Sequence, residues 1–274
     1  FILAKDGTPK ILEFNADTPT SLLEASVIQW QWKEDVFPEC DQFNGIHEGL
    51  VQSWKDIFPK KGEIHFAGAL ENNEDTGTLQ YLASTAMEAG FSTRVLDMQA
   101  LDLQNGRFFD PAGELVNRCF KLYPWEWMVD ESPDGCLAEM EWLEPIWKLV
   151  MSNKGILATL YELFPDSPYV LPCYLSRPRS GLFCKKPVFS REGHNVSVVD
   201  IRDWEEYVRI AETEGDYNTG AYVYQEYVEP TAYSGRYPVI GSWIIGGEAA
   251  GIGIRENRME VTDNLSEFVP HIIG

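Results

Sequence analysis

Between residues 63 and 98 the chain alternates in a way few architectures accept. Glu63–Leu70 is rich in strand formers, Asp75–Ala89 carries apolar side chains at helical spacing, Gly90 stops it, and Ser92–Leu96 is strand-like again. A strand, a helix and a second strand in this order form a β-α-β unit. Similar alternation with Phe108 and Leu115–Phe120 extends the pattern into an open α/β subdomain across residues 60–120.

The flanks read less regularly. Phe1–Ala4 and Lys10–Phe14 are strand-like around the turn Lys5-Asp6-Gly7-Thr8, which predicts a hairpin. Thr18–Trp32 predicts a helix, with Pro19 in its first turn and Leu22, Leu23, Ser26, Val27 and Trp30 on one face. The acidic, turn-rich Asp130–Gly135 is a plausible boundary. Helices are expected over Leu143–Met151 and over Lys154–Leu163, the latter stopped by Pro165. The remainder reads mostly as short strands, Phe183–Phe189, Ala221–Val228, Val239–Ile245 and Ala250–Arg255, with a helix near Ile201–Thr213. Two lobes of mixed α/β structure are therefore expected, the second over residues 145–274.

Charge narrows the partners. With 22 Lys+Arg against 43 Asp+Glu, the formal net charge is −21. Such a field repels nucleic acid and anionic membranes and favours cationic partners, and any bound nucleotide needs locally placed cations. The five cysteines are scattered without a C-x-x-C pair, which indicates neither a zinc site nor a disulfide framework and suits a reducing cytoplasm. The sequence lacks a signal peptide and an apolar run of spanning length. It opens on Phe1-Ile2-Leu3 without an initiating Met, as in mid-strand, so the natural protein is expected to begin upstream.

Four constellations could carry chemistry. In Ile11-Leu12-Glu13-Phe14-Asn15-Ala16-Asp17, a strand would put Glu13 and Asn15 on one face, with Leu12 and Phe14 turned into apolar surroundings. A carboxylate beside an amide oxygen suits Mg²⁺ shared with phosphates, although a surface strand shows the same alternation. Lys154 opens a helix after a capping segment, and Lys186 leads into the turn Ser190–Asn195 that contains Gly193. Two such lysines can converge on a polyphosphate without the Walker A pattern, which is absent. Tyr224-Gln225-Glu226-Tyr227-Val228 can read adenine through its backbone, or be a plain edge strand. Gly246-Gly247 predicts a hairpin turn, and Gly251 and Gly253 leave one strand face bare, for a ligand or for tight packing, ahead of Arg255.

Taken in order, ILEFNADTPTSLLE, SNKGIL, KKPVFSREGHNV, YQEYVE and GSWIIGGEAAGIGIRE resemble the glutathionylspermidine synthase family, in particular its short members with only the synthetase domain. The resemblance spans essentially residues 1–274. It implies a mixed α/β, circularly permuted ATP-grasp fold, and the order here is consistent with that, the E-x-N segment preceding both lysines. It also implies an ATP- and Mg²⁺-dependent acid–amine ligase acting through an acyl phosphate. On that resemblance Glu13 and Asn15 match the magnesium ligands, Lys154 and Lys186 the phosphate lysines, and Gly193 the loop over the nucleotide. Gln225 and Glu226 fall on the adenine hinge, and Arg255 matches the arginine that stabilises the transition state. More loosely, Thr18, Glu74 and Asp75 sit where glutathione binds, and Glu267 near an acidic polyamine contact. The family's R-x-D motif would fall just before Phe1, outside this sequence, leaving the site incomplete. The implied partners are a small carboxylate, glutathione or another peptide, and an amine such as a polyamine. Two other readings fit the same residues: a nucleotide-binding protein that has lost catalysis, and a peptide ligase with other substrates.

Overall fold

A computed structural model describes residues 1–191, 193–203, 207–217, 220–258 and 266–274. The described chain forms two compact units. One comprises Phe1–Phe14, Val150–Gly241 and Ile254–Val269; the other comprises Asn15–Leu149, Ser242–Gly253 and Pro270–Gly274.

In the first unit, β1 (Ile2–Leu3) and β2 (Pro9–Lys10) pair as a short antiparallel hairpin. The expected second strand ends at Lys10, because the backbone beyond it finds other partners: the Ile11 amide donates to the Tyr169 carbonyl at 2.9 Å. Phe14, expected to be apolar-facing, is exposed.

The second unit is built on the β-α-β pattern. Strands β3 (Glu63–Gly68), β4 (Ser92–Asp97), β8 (Arg118–Leu122) and β9 (Glu141–Leu143) form a parallel sheet in the order β4-β3-β8-β9. Ile64, Phe66 and Ala67 are fully buried, as expected of a strand covered on both faces. Between β3 and β4 runs α3 (Asn73–Glu88), capped by Asn72, whose side chain accepts from the Glu74 amide. Its Thr78, Leu79, Leu82, Ala83, Thr85 and Ala86 are buried at helical spacing. Gly90 ends the helix region with φ +93°. At Gly68 an added Cβ would stand 2.9 Å from Leu79 and 3.1 Å from the Leu122 carbonyl, so this crossing requires glycine. Strands β5 (Asp102–Gln104), β6 (Arg107–Phe109) and β7 (Leu115–Val116) form a small antiparallel sheet.

Local details of this unit differ from expectation. The first helix starts at Leu22, after Ser21 with φ +61°, and opens with a π-turn over Glu24–Ile28 before α1 (Gln29–Val36). The wider turn rotates the face, so Ala25, Ser26, Gln29 and Lys33 are buried while Val27 and Trp30 are exposed. Helix α2 (Ile46–Ile57) follows. Residues 130–135 belong to α4 (Trp125–Glu131) and α5 (Pro133–Cys136), and the chain changes unit at 149/150 instead. The helix expected over Leu143–Met151 is only α6 (Lys148–Ser152): Leu143 completes β9, and Pro145 disfavours helix at the residue before it.

Back in the first unit, α7 (Ile156–Leu163) precedes an antiparallel sheet of β10 (Cys173–Tyr174), β11 (Gly181–Pro187), β12 (Ser197–Ile201), β13 (Tyr207–Glu212) and β14 (Tyr222–Glu226), ordered β10-β14-β11-β12-β13. The helix expected near Ile201–Thr213 is β13, an edge strand paired to β12; residues 204–206 lie outside the described residues. Tyr207-Val208-Arg209-Ile210 is short and rich in strand formers, where helical and strand periods are hard to tell apart.

A further antiparallel sheet orders β15 (Tyr237–Ile245), β16 (Glu248–Asn257) and β17 (Glu267–Val269), and the unit division passes along β15 and β16. Gly246 and Gly247, at φ +60° and +91°, make the expected hairpin turn. Among the described residues no helix is long and apolar enough to cross a membrane.

Candidate functional site

The first unit brings together residues from three separated stretches of sequence. Lys154 sits just ahead of α7, held by its amide to the Val188 carbonyl at 2.9 Å. Its ammonium donates to the Ser190 carbonyl at 2.6 Å and lies 3.3 Å from the Glu13 carboxylate. Lys186, near the end of β11, donates to Gln225 Oε1 at 2.7 Å and to the Leu12 carbonyl at 3.1 Å. Gln225 in turn donates to the Ile11 carbonyl at 2.8 Å. The segment carrying Glu13 is thus fixed through its carbonyls by side chains from β11 and β14, which is why residues 11–14 make no ladder.

Electrostatically the cluster is lopsided. Lys154 and Lys186 are both buried, at 8% and 7% exposure; among the described residues Glu13 is ion-paired to Lys154 and acts on Lys186 electrostatically. Burial pushes the Lys186 ammonium below its ordinary value, against Cys184 and Glu13 which raise it. Partial desolvation would raise the Glu13 carboxyl, whose side chain keeps some solvent, but Lys154 and then Lys186 outweigh it and hold it low. Glu13, Lys186 and Arg255 all lie within electrostatic reach of the Phe1 backbone nitrogen, so they share one neighbourhood. Arg255 is half-buried on β16 and has no carboxylate partner among the described residues. Two buried ammonium groups, a guanidinium with no carboxylate partner among the described residues, and a single carboxylate make a net-positive cluster of the kind that suits a polyphosphate.

The other expected residues are placed as follows. The Gln225 side chain serves Lys186, while Glu226 is exposed and its amide donates to the Pro172 carbonyl at 2.7 Å. Gly193, at φ +70°, closes the turn after Ser190, its carbonyl accepting from Thr213 at 2.5 Å. Glu267 opens β17 and is ion-paired to Arg236 at 2.7 Å. Asn15 and Thr18 belong to the second unit, Asn15 exposed and Thr18 buried. No strand runs through residues 11–16, so Glu13 and Asn15 do not share a strand face. Glu74 and Asp75 form the first turn of α3, where acidic side chains also suit the helix dipole. The bare face expected at Gly251 is closed: an added Cβ would stand 2.9 Å from Ile46 and 3.1 Å from the Phe43 carbonyl. That glycine serves packing.

One buried pair in the second unit escaped the sequence reading. Asp17 and Lys121 are fully buried and 2.6 Å apart. A lysine inside the apolar run Cys119-Phe120-Lys121-Leu122 was its signal. The pair lies at the carboxyl end of β8; the opposite end of the sheet holds a cavity of about 290 Å³ lined by Glu63, His65, Asn117 and Arg118 among others.

The family model described as glutathionylspermidine synthase preATP-grasp matches residues 1–274. The chain belongs to the glutathionylspermidine synthase family. Within that family, a Haemophilus influenzae protein named "Putative acid--amine ligase" is 37% identical over 96% of this chain and 70% of its own length. Trypanothione synthetase of Crithidia fasciculata is 27% identical over 94% of this chain and 44% of its own. The bifunctional glutathionylspermidine synthetase/amidase of Escherichia coli is 25% identical over 96% of this chain and 47% of its own. The chain thus spans less than half the length of the latter two. The glutathionylspermidine synthase family is one of carboxylate–amine ligases by the names of these members. Among solved structures, a glutathione synthetase-like effector from Globodera pallida superposes with a TM-score of 0.58 at 10% identity, covering 100% of this chain and 74% of that one, which shows the mixed α/β fold.

Proposed function

We propose that the protein joins a small carboxylic acid to an amine at the expense of ATP, with Mg²⁺ as cofactor, in the manner of glutathionylspermidine synthetases. The observation that carries this reading is the pair of buried lysines facing a single carboxylate. Such an excess of buried positive charge is costly unless an anion completes it. Lys154 and Lys186 would bind the nucleotide phosphates, and Arg255 would stabilise charge on the transferring phosphoryl group.

Glu13 and Asn15, both exposed oxygen donors, would hold Mg²⁺ together with the phosphates, and the bound ion would neutralise charge developing on them. Catalysis would rest on positioning: the acid's carboxylate takes the γ-phosphoryl group, and the amine then displaces phosphate from the acyl phosphate. Thr18, Glu74 and Asp75 are the candidate contacts for a glutathione-like acid, and Glu267 for a polyamine, which the net charge of −21 would attract.

The test is ADP release by the full-length protein against pools of carboxylates and amines. Release that requires both an acid and an amine is expected. Tight nucleotide binding with no turnover under any pairing would sink the ligase reading in favour of a regulatory one.

A further inference from the structure

Lys186 and Gln225 stand together on a sheet face that is otherwise apolar. In the register of β11 and β14, Lys186 lies opposite Val223 and Cys184 opposite Gln225, which makes Lys186 and Gln225 diagonal neighbours on one face. On its other side Gln225 lies opposite Cys173 of β10. Val223 and Cys173 belong to a buried apolar cluster with Leu157 and Ala158 of α7, and Ile11 packs against it. Gln225 is only 2% exposed in these surroundings, and a buried amide is costly unless both its ends are satisfied.

Both ends are satisfied. Oε1 accepts from the Lys186 ammonium at 2.7 Å, and Nε2 donates to the Ile11 carbonyl at 2.8 Å. The amide can face only one way, because an ammonium only donates and a carbonyl only accepts. Lys186 also donates to the Leu12 carbonyl at 3.1 Å. With two of its three N–H bonds held, the direction of the third is set. All of these atoms belong to the first unit.

Both acceptors are uncharged. A carboxylate in place of the Gln225 amide could also hold Lys186, but it would cancel the ammonium charge before any anion arrived. It would also set an acceptor against the Ile11 carbonyl, which has no proton to give. We infer that Gln225 is a positioning residue for phosphate binding: it aims the Lys186 ammonium through Oε1 and, being an amide, does so without neutralising it. This inference rests on the nucleotide role proposed above for Lys186. The same side chain ties β14 to Ile11, two residues ahead of Glu13, so one amide orders both sides of the cluster.

The experiment measures ATP affinity of the full-length protein by calorimetry. Gln225→Met removes the acceptor and should weaken binding about tenfold, the size of one lost hydrogen bond to a charged group. Gln225→Glu offers Lys186 an acceptor but cancels its charge, and should weaken binding further, about a hundredfold. The decisive comparison repeats Gln225→Met in a Lys186→Met background. There it should change affinity by no more than about twofold, since the amide acts through the lysine. A merely structural role for Gln225 would lower affinity by the same factor in both backgrounds, and that result would overturn the inference. So would wild-type affinity in Gln225→Met or in Gln225→Glu. If Gln225→Met does not fold, Gln225→Asn takes its place in both backgrounds; it keeps the amide but is one methylene too short to reach both partners. Failure of the wild type itself to bind ATP would count against the proposed function. The aiming of Lys186 is then read without ligand: its ammonium signal, assigned through Lys186→Met, should appear in nitrogen-edited spectra of the wild type and be lost in Gln225→Met. Its persistence in that variant would refute the role of the amide.

Discussion

Each unit buries lysine, and the two solve the problem differently. Around Lys121 the accounts balance: one ammonium, one carboxylate, a carbonyl and an aromatic face, with no exposure at all. Around Lys154 and Lys186 they do not. Of the two ammonium groups, among the described residues only that of Lys154 is ion-paired, to Glu13, whose side chain is 42% exposed, and the bonds of Lys186 go to uncharged oxygens. A closed, neutral cluster holds structure, whereas an open cluster with excess positive charge awaits a ligand. Burial of a lysine therefore says little about its role until its partners are counted.

The comparison breaks first at Lys121. Lys121→Met alone leaves the Asp17 carboxylate buried with only the Trp125 amide, so a destabilisation of about 3–5 kcal/mol is expected in denaturant unfolding. Lys186→Ala should behave oppositely. Losing a buried cation and its two uncharged acceptors nearly cancel, so stability should change by about 1 kcal/mol or less. ATP binding by the full-length protein, read by calorimetry, should fall about a hundredfold, as expected for deleting a charged contact to phosphate. Unchanged nucleotide affinity in this variant would mean that the open cluster serves something else.

Gly251→Ala probes the same contrast where the sequence left two readings standing. Its added methyl would meet Ile46 at 2.9 Å and the Phe43 carbonyl at 3.1 Å, and a backbone carbonyl yields little. Overpacking of this kind costs about 1–3 kcal/mol, and nucleotide affinity should stay as it was. Loss of nucleotide binding without loss of stability would restore the ligand-facing reading of that glycine.

What could be read from sequence follows the range of the interactions. The β-α-β unit was legible because helix and strand periods are local, and Gly90 and Gly246-Gly247 mark a helix stop and a hairpin turn by local backbone chemistry, whereas the start of the helix at its Asn72 cap falls earlier than expected. The order β10-β14-β11-β12-β13 was not, since antiparallel pairing between distant strands leaves no periodic trace. The segment 11–14 looked like a strand because its side chains alternate. Its carbonyls are claimed instead by Gln225 and Lys186, over 200 and over 170 residues away in sequence. Asp17 and Lys121 are 104 residues apart, and only the oddity of a lysine in an apolar strand pointed to them.

The finest probe is Glu13, the one carboxylate in the open cluster. Lys154 and Lys186 hold its folded value below the ordinary 4.5, against the opposing effect of burial. A depressed carboxyl contributes its stabilisation fully above the unfolded value, and the contribution disappears as pH falls through the folded one. Wild-type stability should therefore lose an increment below about pH 4.5 that Glu13→Gln lacks. The increment should be small, because the side chain is partly solvated and its partner is shared. Bound nucleotide should change its size, since phosphates compete with Glu13 for both lysines. Denaturant midpoints of the two proteins between pH 3 and pH 7, with and without ATP, measure it directly; parallel pH profiles for wild type and Glu13→Gln would show that the carboxylate is not coupled to the lysines at all.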